Sequence, residues 1–347
     1  MRFPAGRGTP LPQTMPMIRE RAALALLAFG LGSARAPAED LSLLILHKGA
    51  DSLGFYDAKT GARRALVPVG TVPHEMVLSR DGRRAYVTNY GVRSYTDTAP
   101  GGNTVSIVDL ARHEKVGEID LGECRRPHGI ELGASGRLYV TVDRPGSLLV
   151  IDAASRKVAA RHDVGQALPH MLALRRDETK AWTADAGSGT VTAVRLDASS
   201  PALVHIPVGG VPMGLALSSD ERRLYAATRS GNEVVVIDTA KDAVTDRIRI
   251  EGQPARVRFT KGDRWLLVSL IESGEVAVVD PRAGREVHRF KAGAAAEGLG
   301  LDEAGRFGYV SAQGDDTVVQ FSLADWSRTL EIKTAARPDP IVPWHGR

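Results

Sequence analysis

The sequence predicts an all-β protein, a seven-bladed β-propeller with four-stranded blades, in which the C-terminal strand closes the first blade. Three observations support this fold class. A proline recurs at an almost constant interval along the chain. Each interval contains four short runs that are rich in β-branched residues and end at turn residues. The two ends of the repeat region hold complementary parts of one more interval.

The repeat is clearest at a proline, which one unit replaces by alanine. The steps between successive marker positions are 54, 42, 43, 42, 42 and 42 residues. A fixed period of this length is typical of propellers, solenoids and other repeat arrays. The marker positions are Pro73, Pro127, Pro169, Pro212, Pro254, Ala296 and Pro338.

The content of one repeat distinguishes among these architectures. Residues 126–165 read RPHGIELGASGRLYVTVDRPGSLLVIDAASRKVAARHDVG. The runs rich in Val, Ile, Leu, Tyr and Thr are bounded by Gly, Asp and Ser, and none has a helical period. Four short strands per repeat predict a propeller blade. An aspartate that precedes the third turn is expected to cap it with its side chain. It occurs as Asp57, Asp109, Asp152, Asp238 and Asp280.

The first and last segments of the repeat region predict how the ring closes. Residues 43–70 supply three strands without the first, and residues 336–346 supply a first strand alone. Joined, they complete one blade, so that no sheet edge in the ring stays open. We therefore expect one propeller domain over residues 41–347 and no second domain.

Residues 1–38 have the pattern of a leader with a signal peptide. After Met17, the more natural start, basic residues precede the apolar run 22–31, and APA at 36–38 matches a cleavage motif. The apolar run is too short to be a stable membrane anchor. We expect cleavage after Ala38, no stable membrane span after cleavage, and a periplasmic or secreted protein.

The charge balance argues against nucleic acid as a partner. Residues 1–38 contain five Arg and one acidic residue, which leaves 40 basic and 40 acidic residues in the mature chain. Nucleic-acid binding normally requires an excess of positive charge. The single cysteine, Cys124, excludes an intrachain disulfide, so the exported protein must be stabilised by packing.

Short motifs in several repeats resemble those of one protein family. YVTN at 86–89, LYVTV at 138–142 and SGNEVVVIDTAKDAV at 230–244 are similar to the YVTN-repeat, YncE-like β-propellers. These propellers are related in fold to the haem d1 domain of cytochrome cd1 and to the heavy chain of methylamine dehydrogenase. The resemblance covers the mature chain and implies an exported propeller. It implies no single function, because roles in the family range from binding modules to companions of periplasmic redox systems.

The residue after the marker position predicts a site at one mouth of the channel. First strands run side by side around a propeller channel, so equivalent residues lie at one level. Imidazole and carboxylate together suit a transition metal such as Zn, Cu, Fe or Ni. Two alternatives to a metal site remain: these residues bind an organic ligand without metal, or they have a structural role in the turns. The candidate metal ligands are His74, His128, His170, Asp339 and Glu297.

The ends of the second strands are expected at the same mouth. Gln313 belongs to this set, and the insertion 91–102, which lengthens one repeat, is a candidate lid or partner contact. Polar residues at one rim suit ligand binding, although exposure to solvent predicts the same composition. The candidate ligand-binding residues are Asn89, Arg125, Asp143, Asp185 and Arg229.

These observations predict an exported, monomeric binding module that takes a small-molecule ligand, a cofactor or a periplasmic protein partner through one channel mouth. G-x-S-x-G, H-E-x-x-H and Walker motifs do not occur in a suitable context, so the sequence leaves catalysis open. One alternative is a metal-assisted lyase or hydrolase that uses the His and carboxylate cluster. Another is a scaffold in a periplasmic redox assembly.

Overall fold

The computed structural model describes residues 41–197 and 202–346. Within these residues the chain forms 28 β-strands and one 3₁₀ helix, Lys261–Asp263. The strands make seven four-stranded antiparallel sheets, each a blade of a β-propeller. The predicted fold class is therefore confirmed.

The blades are numbered in chain order, and the first-named strand of each blade lines the channel. Blade 1 comprises β28 (Pro338–His345), β1 (Leu41–His47), β2 (Ser52–Asp57) and β3 (Arg63–Pro68). Blade 2 comprises β4 (Pro73–Leu78), β5 (Arg84–Asn89), β6 (Thr104–Asp109) and β7 (Glu114–Asp120). Blade 3 comprises β8 (Arg125–Leu132), β9 (Arg137–Arg144), β10 (Gly146–Asp152) and β11 (Lys157–Asp163). Blade 4 comprises β12 (Pro169–Leu174), β13 (Lys180–Asp185), β14 (Thr190–Arg195) and β15 (Leu203–Pro207).

The remaining three blades repeat this arrangement. Blade 5 comprises β16 (Pro212–Leu217), β17 (Arg223–Thr228), β18 (Glu233–Asp238) and β19 (Ala243–Arg249). Blade 6 comprises β20 (Pro254–Phe259), β21 (Leu266–Leu270), β22 (Glu275–Asp280) and β23 (Arg285–Lys291). Blade 7 comprises β24 (Ala296–Leu301), β25 (Phe307–Ala312), β26 (Thr317–Ser322) and β27 (Arg328–Lys333).

Blade 1 joins both ends of the propeller, as the complementary fragments predict. Strand β28 pairs antiparallel with β1, with Leu41 opposite His345 and Leu44 opposite Val342. Trp344 on β28 donates its indole N–H to the Gly82 carbonyl of blade 2 at 2.8 Å. Because β28 supplies the missing inner strand, the last residues of the propeller hold the first blade in the ring.

The hydrophobic core lies between neighbouring blades. Second and third strands are buried on both faces, and fourth strands are largely exposed. Between blades 2 and 3, for example, Val105 and Ile107 pack with Val140 and Leu149. Sheets stacked face to face bury their side chains in this way, and the rigid ring that results fixes the inner strands around the channel.

The recurring aspartate caps its turn, as predicted. The carboxylate of Asp57 accepts the backbone N–H groups of Lys59 and Thr60 at 2.9 and 2.8 Å. Asp238 accepts those of Ala240 and Lys241 at 3.0 and 2.9 Å. Equivalent bonds occur at Asp109, Asp152 and Asp280. This aspartate series therefore belongs to the fold and not to a site.

The leader, residues 1–38, lies outside the described residues. The start at Met17, the signal peptide and the cleavage after Ala38 therefore stay predictions, as does the boundary between leader and propeller. Within residues 41–197 and 202–346, no helix is long and apolar enough to cross a membrane.

Candidate functional site

A cavity of about 400 Å³ lies at one mouth of the channel, where the first strands begin and the second strands end. We call it the mouth cavity. Four of its lining residues follow the marker position, as the sequence predicts: His74, His128, His170 and Glu297. Met213 occupies the same position in blade 5. The repeat therefore does bring equivalent residues to one level of the channel.

The three histidines form a contacting row, which we call the His arc. The ring centroids of His74 and His128 are 4.6 Å apart, and those of His128 and His170 are 3.6 Å apart. His74 donates its Nδ1–H to the Val72 carbonyl at 3.0 Å, which leaves Nε2 as its unprotonated nitrogen. His128 Nδ1 and His170 Nε2 are buried without a hydrogen-bond partner among the described residues.

The histidines of this arc are neutral at physiological pH. Burial, followed by the nearby Lys48 ammonium, holds the pKa of His74 well below its usual range. Burial and the neighbouring imidazoles do the same for the pKa of His128. Burial and the Arg256 charge lower the pKa of His170. Each neutral ring therefore carries one N–H donor and one lone pair, and in His74 the N–H is already used by Val72, which leaves the Nε2 lone pair.

The backbone before the marker position has an unusual conformation in six blades. Val72 has φ 46° and Leu168 has φ 55°, although neither residue favours the left-handed region. Arg126, Gln253, Ala295 and Arg337 share it, with φ between 54° and 60°. Such strain persists only where the surrounding structure fixes it, and it concentrates at functional sites. This left-handed residue directly precedes the marker position, and the residue after the marker lines the channel.

Five charged side chains make a chain of ion pairs across the channel, which we call the charge belt. Lys48 pairs with Asp339 and lies 3.8 Å from a Glu297 oxygen. Arg256 pairs with Glu75 and lies 3.6 Å from Asp339. The sign of the charge alternates along the belt, so each buried charge has an opposite neighbour.

Burial and neighbouring charges set the pKa values in the belt. Burial raises the pKa of Glu75 to about 7 despite its Arg256 partner. Burial and repulsion from Glu297 raise the pKa of Asp339. Burial also acts to raise the pKa of Glu297, but attraction to Lys48 and Arg256 outweighs it and the pKa falls below its usual value. Glu297 is therefore the belt carboxylate that stays charged at the mouth cavity.

The belt separates the mouth cavity from a second cavity of about 420 Å³ on the same channel. Lys48 and Glu297 face the mouth cavity, whereas Glu75 and Arg256 line the second one. The second cavity is also lined by Glu131 and Arg258 and by apolar residues of the first strands, such as Ile130. The His arc belongs to the mouth cavity.

Tyr90 connects the His arc to a buried carboxyl. Its ring lies 4.5 Å from the His74 ring and 5.4 Å from the His128 ring. Its hydroxyl donates to Asp143 at 2.5 Å. Burial raises the pKa of Asp143 to about 6, and burial together with the Asp143 charge raises the pKa of Tyr90. Asp143 therefore orients Tyr90 and does not itself line the cavity.

The insertion 91–102 forms part of the cavity wall. Its residues Arg93, Ser94 and Tyr95 line the cavity. The fully buried Arg126 donates to the carbonyls of Tyr95, Asp97 and Ala99 at 3.3, 2.5 and 2.5 Å. One arginine thus fastens the insertion through three backbone acceptors. Its role as a lid or a partner contact stays a prediction.

Of the five predicted ligand-binding residues, the structure places Arg229 on the cavity wall. Asn89 is buried and donates to Thr104 and Ser106 at 2.8 and 2.9 Å. Asp185 accepts hydroxyl groups of three threonines, at 2.6 to 3.0 Å. Arg125 and Asp143 do not line the cavity either. The hydrogen-bonding groups of Asn89 and Asp185 are used inside their blades.

A shift of one residue explains this outcome. Strand β5 ends at Asn89 and β1 ends at His47, and the next residues, Tyr90 and Lys48, line the cavity. Arg229 and Gln313 likewise follow the ends of β17 and β25. Successive strand residues point to opposite sides. If the second strands are aligned at their last hydrogen-bonded residue, the position that follows it identifies three further residues of the cavity wall, Lys48, Tyr90 and Ile271.

The predicted metal ligands are near one another but do not form a metal site in this arrangement. Within residues 41–197 and 202–346, no three His, Cys, Asp or Glu side chains are placed to hold a metal ion. The imidazoles of His128 and His170 lie at 37° and pack against each other instead of converging on one point. The Lys48 ammonium pairs with Asp339 near Glu297 and occupies the space between these two carboxyl groups. Metal ligation stays a prediction that requires these groups to rearrange.

Fold and cavity together define a seven-bladed β-propeller with a polar cavity at one mouth of its channel. The sequence matches no protein-family profile and no curated protein. A functionally unknown protein from Desulfotomaculum acetoxidans is similar in structure, with a TM-score of 0.72 and 11% identity over 89% of this chain and 100% of that one. A periplasmic gluconolactonase of Pseudomonas aeruginosa has a TM-score of 0.69 and 18% identity over 88% and 99% of the two chains.

A third similar structure is a dihydro-heme d1 dehydrogenase, with a TM-score of 0.64 and 15% identity over 86% of this chain and 74% of that one. Identities this low establish a shared fold and no shared activity.

Proposed function

We propose that the protein is an exported binding module that holds a small organic ligand in the mouth cavity. One observation carries the proposal. Three neutral histidines from consecutive blades meet at the cavity, and two of their buried ring nitrogens lack a partner. Buried polar atoms normally have partners. Both nitrogens are buried behind the cavity surface, so a ligand would bond to them once the two rings turn toward the cavity. A concave pocket with a few convergent polar groups is the usual form of a small-molecule site.

The leader supports export to the periplasm or the medium, because residues 17–38 have the order of a cleavable signal. The periplasmic gluconolactonase offers an example of the same fold in that compartment. We further propose a monomer, and membership of the YVTN-repeat propellers. Sequencing the N-terminus of the mature protein tests the leader. Light scattering tests the oligomeric state, and comparison of homologues tests the family.

Hydrolysis is a second candidate function, and the orientation of His74 favours it. Because Nδ1 donates to Val72, Nε2 can take a proton from water. The resulting hydroxide would attack an ester or lactone carbonyl, and the imidazolium would return the proton to the departing oxygen. The similar gluconolactonase makes a lactone a sensible first substrate. A metal-assisted lyase or hydrolase, and a redox scaffold docking on residues 91–102, are further alternatives.

Native mass spectrometry with elemental analysis tests these candidates on one preparation. The comparison variant carries His74→Ala, His128→Ala and His170→Ala. The matched control carries alanine at three exposed histidines, His113, His205 and His288. The proposal predicts an organic mass increment in the parent and the control that the comparison variant lacks. Near-stoichiometric metal lost with the His arc would favour the metal-assisted alternative. An increment that persists in the folded comparison variant would contradict a ligand in the mouth cavity.

A further inference from the structure

The charges around the mouth cavity indicate the class of ligand, and this inference rests on the proposed function. Four cationic residues line the cavity, Lys48, Arg93, Arg229 and Arg337, against one acidic residue, Glu297. The neutral His arc adds no charge. The wall of the mouth cavity therefore carries an excess of positive charge.

The three arginines differ from the lysine in making no close ion pair. Among the described residues, no hydrogen bond or ion pair is made by the side chains of Arg93, Arg229 or Arg337, whereas Lys48 pairs with Asp339. Glu297 attracts Arg229 and Arg337 at longer range. Arg229 is partly buried, so its guanidinium has lost part of its hydration. A guanidinium presents a planar fork of donors that matches a carboxylate with two parallel hydrogen bonds. Arg93 and Arg337 are exposed to solvent, so the partly buried Arg229 is the guanidinium for which a ligand would best supply the missing hydrogen-bond acceptor.

The opposite half of the cavity is aromatic. Blades 2 to 4 contribute Tyr90 and the His arc, in which the ring centroids of His128 and His170 lie 3.6 Å apart with their planes tilted by 37°. Blade 5 contributes Arg229 beside Met213, and Arg337 directly precedes β28 of blade 1. The wall is thus divided between a ring-binding half and a cationic half. A planar group could pack on the rings while its anionic substituent reaches the arginines.

The unpartnered ring nitrogens set a further requirement. His128 Nδ1 and His170 Nε2 are buried without a hydrogen-bond partner, which is unfavourable, so a polar atom on the planar group would bond to them once the rings turn toward the cavity. The cavity, at about 400 Å³, is near the lower end of the usual range for small-molecule sites. A ligand with one or two rings fits these limits.

We propose that the mouth cavity binds a planar carboxylate, with its ring against His128, His170 and Tyr90 and its carboxylate at Arg229 and Arg337. Arg229 then acts as a specificity-determining residue that distinguishes the carboxylate from a neutral amide of the same shape. Lys48 is held by the charge belt, where Asp339 and Glu297 offset its charge, so the arginines supply the positive potential of the wall.

Matched pairs of probes test this assignment by isothermal titration calorimetry on the purified protein at pH 7 and low salt. The pairs are benzoate with benzamide and nicotinate with nicotinamide, and inorganic phosphate and acetate are the probes without a ring. We expect each aromatic carboxylate to bind at least about tenfold more tightly than its amide, a difference that corresponds to about 1.4 kcal/mol. Acetate and phosphate should bind at least about tenfold more weakly than benzoate, because they lack the ring.

Arg229→Gln should remove the preference for the carboxylate and leave amide binding unchanged. The control is Arg223→Gln, an exposed arginine at the start of the same strand, β17. Equal binding of carboxylate and amide, or an Arg229→Gln variant that retains the preference, would overturn the carboxylate inference and leave the proposed function standing. Phosphate binding as tight as benzoate would overturn the role of the aromatic half. If no probe binds, the inference fails, and the native mass spectrum decides the proposed function separately.

Discussion

Asp143→Asn should change how the stability of the propeller depends on pH. Burial raises the pKa of Asp143 from 3.8 to about 6 in the folded protein. Between these values the folded state binds a proton that the unfolded state has released. The free energy of unfolding therefore falls as the pH rises through this window, and the full loss is present at pH 7. A displacement of about two pKa units corresponds to roughly 3 kcal/mol.

The asparagine variant lacks this loss because its amide does not ionise. Its carbonyl oxygen can still accept the Tyr90 hydroxyl that Asp143 accepts at 2.5 Å. Near pH 4 the protonated carboxyl and the amide are similar in shape and charge, so the two proteins should be almost equally stable. At pH 7 the variant should be more stable than the parent by up to roughly 3 kcal/mol. The nearby Arg126 and Arg144 cations are present in both proteins and do not alter the comparison.

Urea unfolding followed by tryptophan fluorescence measures this difference from pH 4 to pH 7. The other buried carboxyls contribute equally to both proteins, so the difference isolates Asp143. Tyr90→Phe is the companion variant, and it removes the hydroxyl that donates to Asp143. The ionised form of Asp143 is then less favourable, so the free energy of unfolding should fall more steeply with rising pH. A difference between parent and Asp143→Asn that stays constant across the pH range would refute the reasoning.

Two further predictions concern the closure of the ring and the insertion. Trp344→Ala should lower the free energy of unfolding in urea by about 3–5 kcal/mol, because the buried indole packs edge-on against Phe55 and bonds to Gly82. A loss below about 1 kcal/mol would mean that β28 does not hold the first blade. Arg126→Gln should make residues 91–102 much more susceptible to limited proteolysis without unfolding the blades. The carbonyls of Tyr95 and Ala99 lose their donor, and that of Asp97 keeps only a long bond from Arg144. Arg125→Gln is the adjacent control, and equal cleavage of the two variants would contradict the anchoring role.

The fold could be predicted almost completely from the sequence because its determinants are local and repeated. Each blade carries the same order of short strands and turn residues, so a fixed period identifies the unit without any long-range information. Even the closure could be inferred, since residues 336–346 complete what residues 43–70 lack. The capping aspartates were predictable for the same reason, because Asp57 accepts backbone N–H groups of the turn that follows it.

The site could be predicted only in part, because its side chains meet across the ring. The repeat places His74, His128 and His170 at one level, but it does not specify that their rings pack together. Lys48 lies near the start of the propeller, and its partner Asp339 lies near the end. Both residues belong to blade 1, where Lys48 follows β1 and Asp339 lies on the neighbouring β28, so the pairing forms only when the two ends of the chain meet, which no local pattern encodes.

The direction of side chains at strand ends was the other obstacle. Asn89 and Tyr90 are adjacent in sequence, but the first bonds inside its blade and the second lines the cavity. A one-residue difference in register reverses the side of the strand. The left-handed backbone at Val72 also has no sequence signal, since neither glycine nor asparagine occupies that position.

The central claim is that the mouth cavity holds a planar anion, and a crystal structure of the protein with benzoate tests it most directly. The account predicts electron density for the ring beside His128 and His170, with the carboxylate within hydrogen-bond distance of the Arg229 guanidinium. Density in the second cavity beside Glu75, or a mouth cavity that holds only solvent under saturating benzoate, would contradict it.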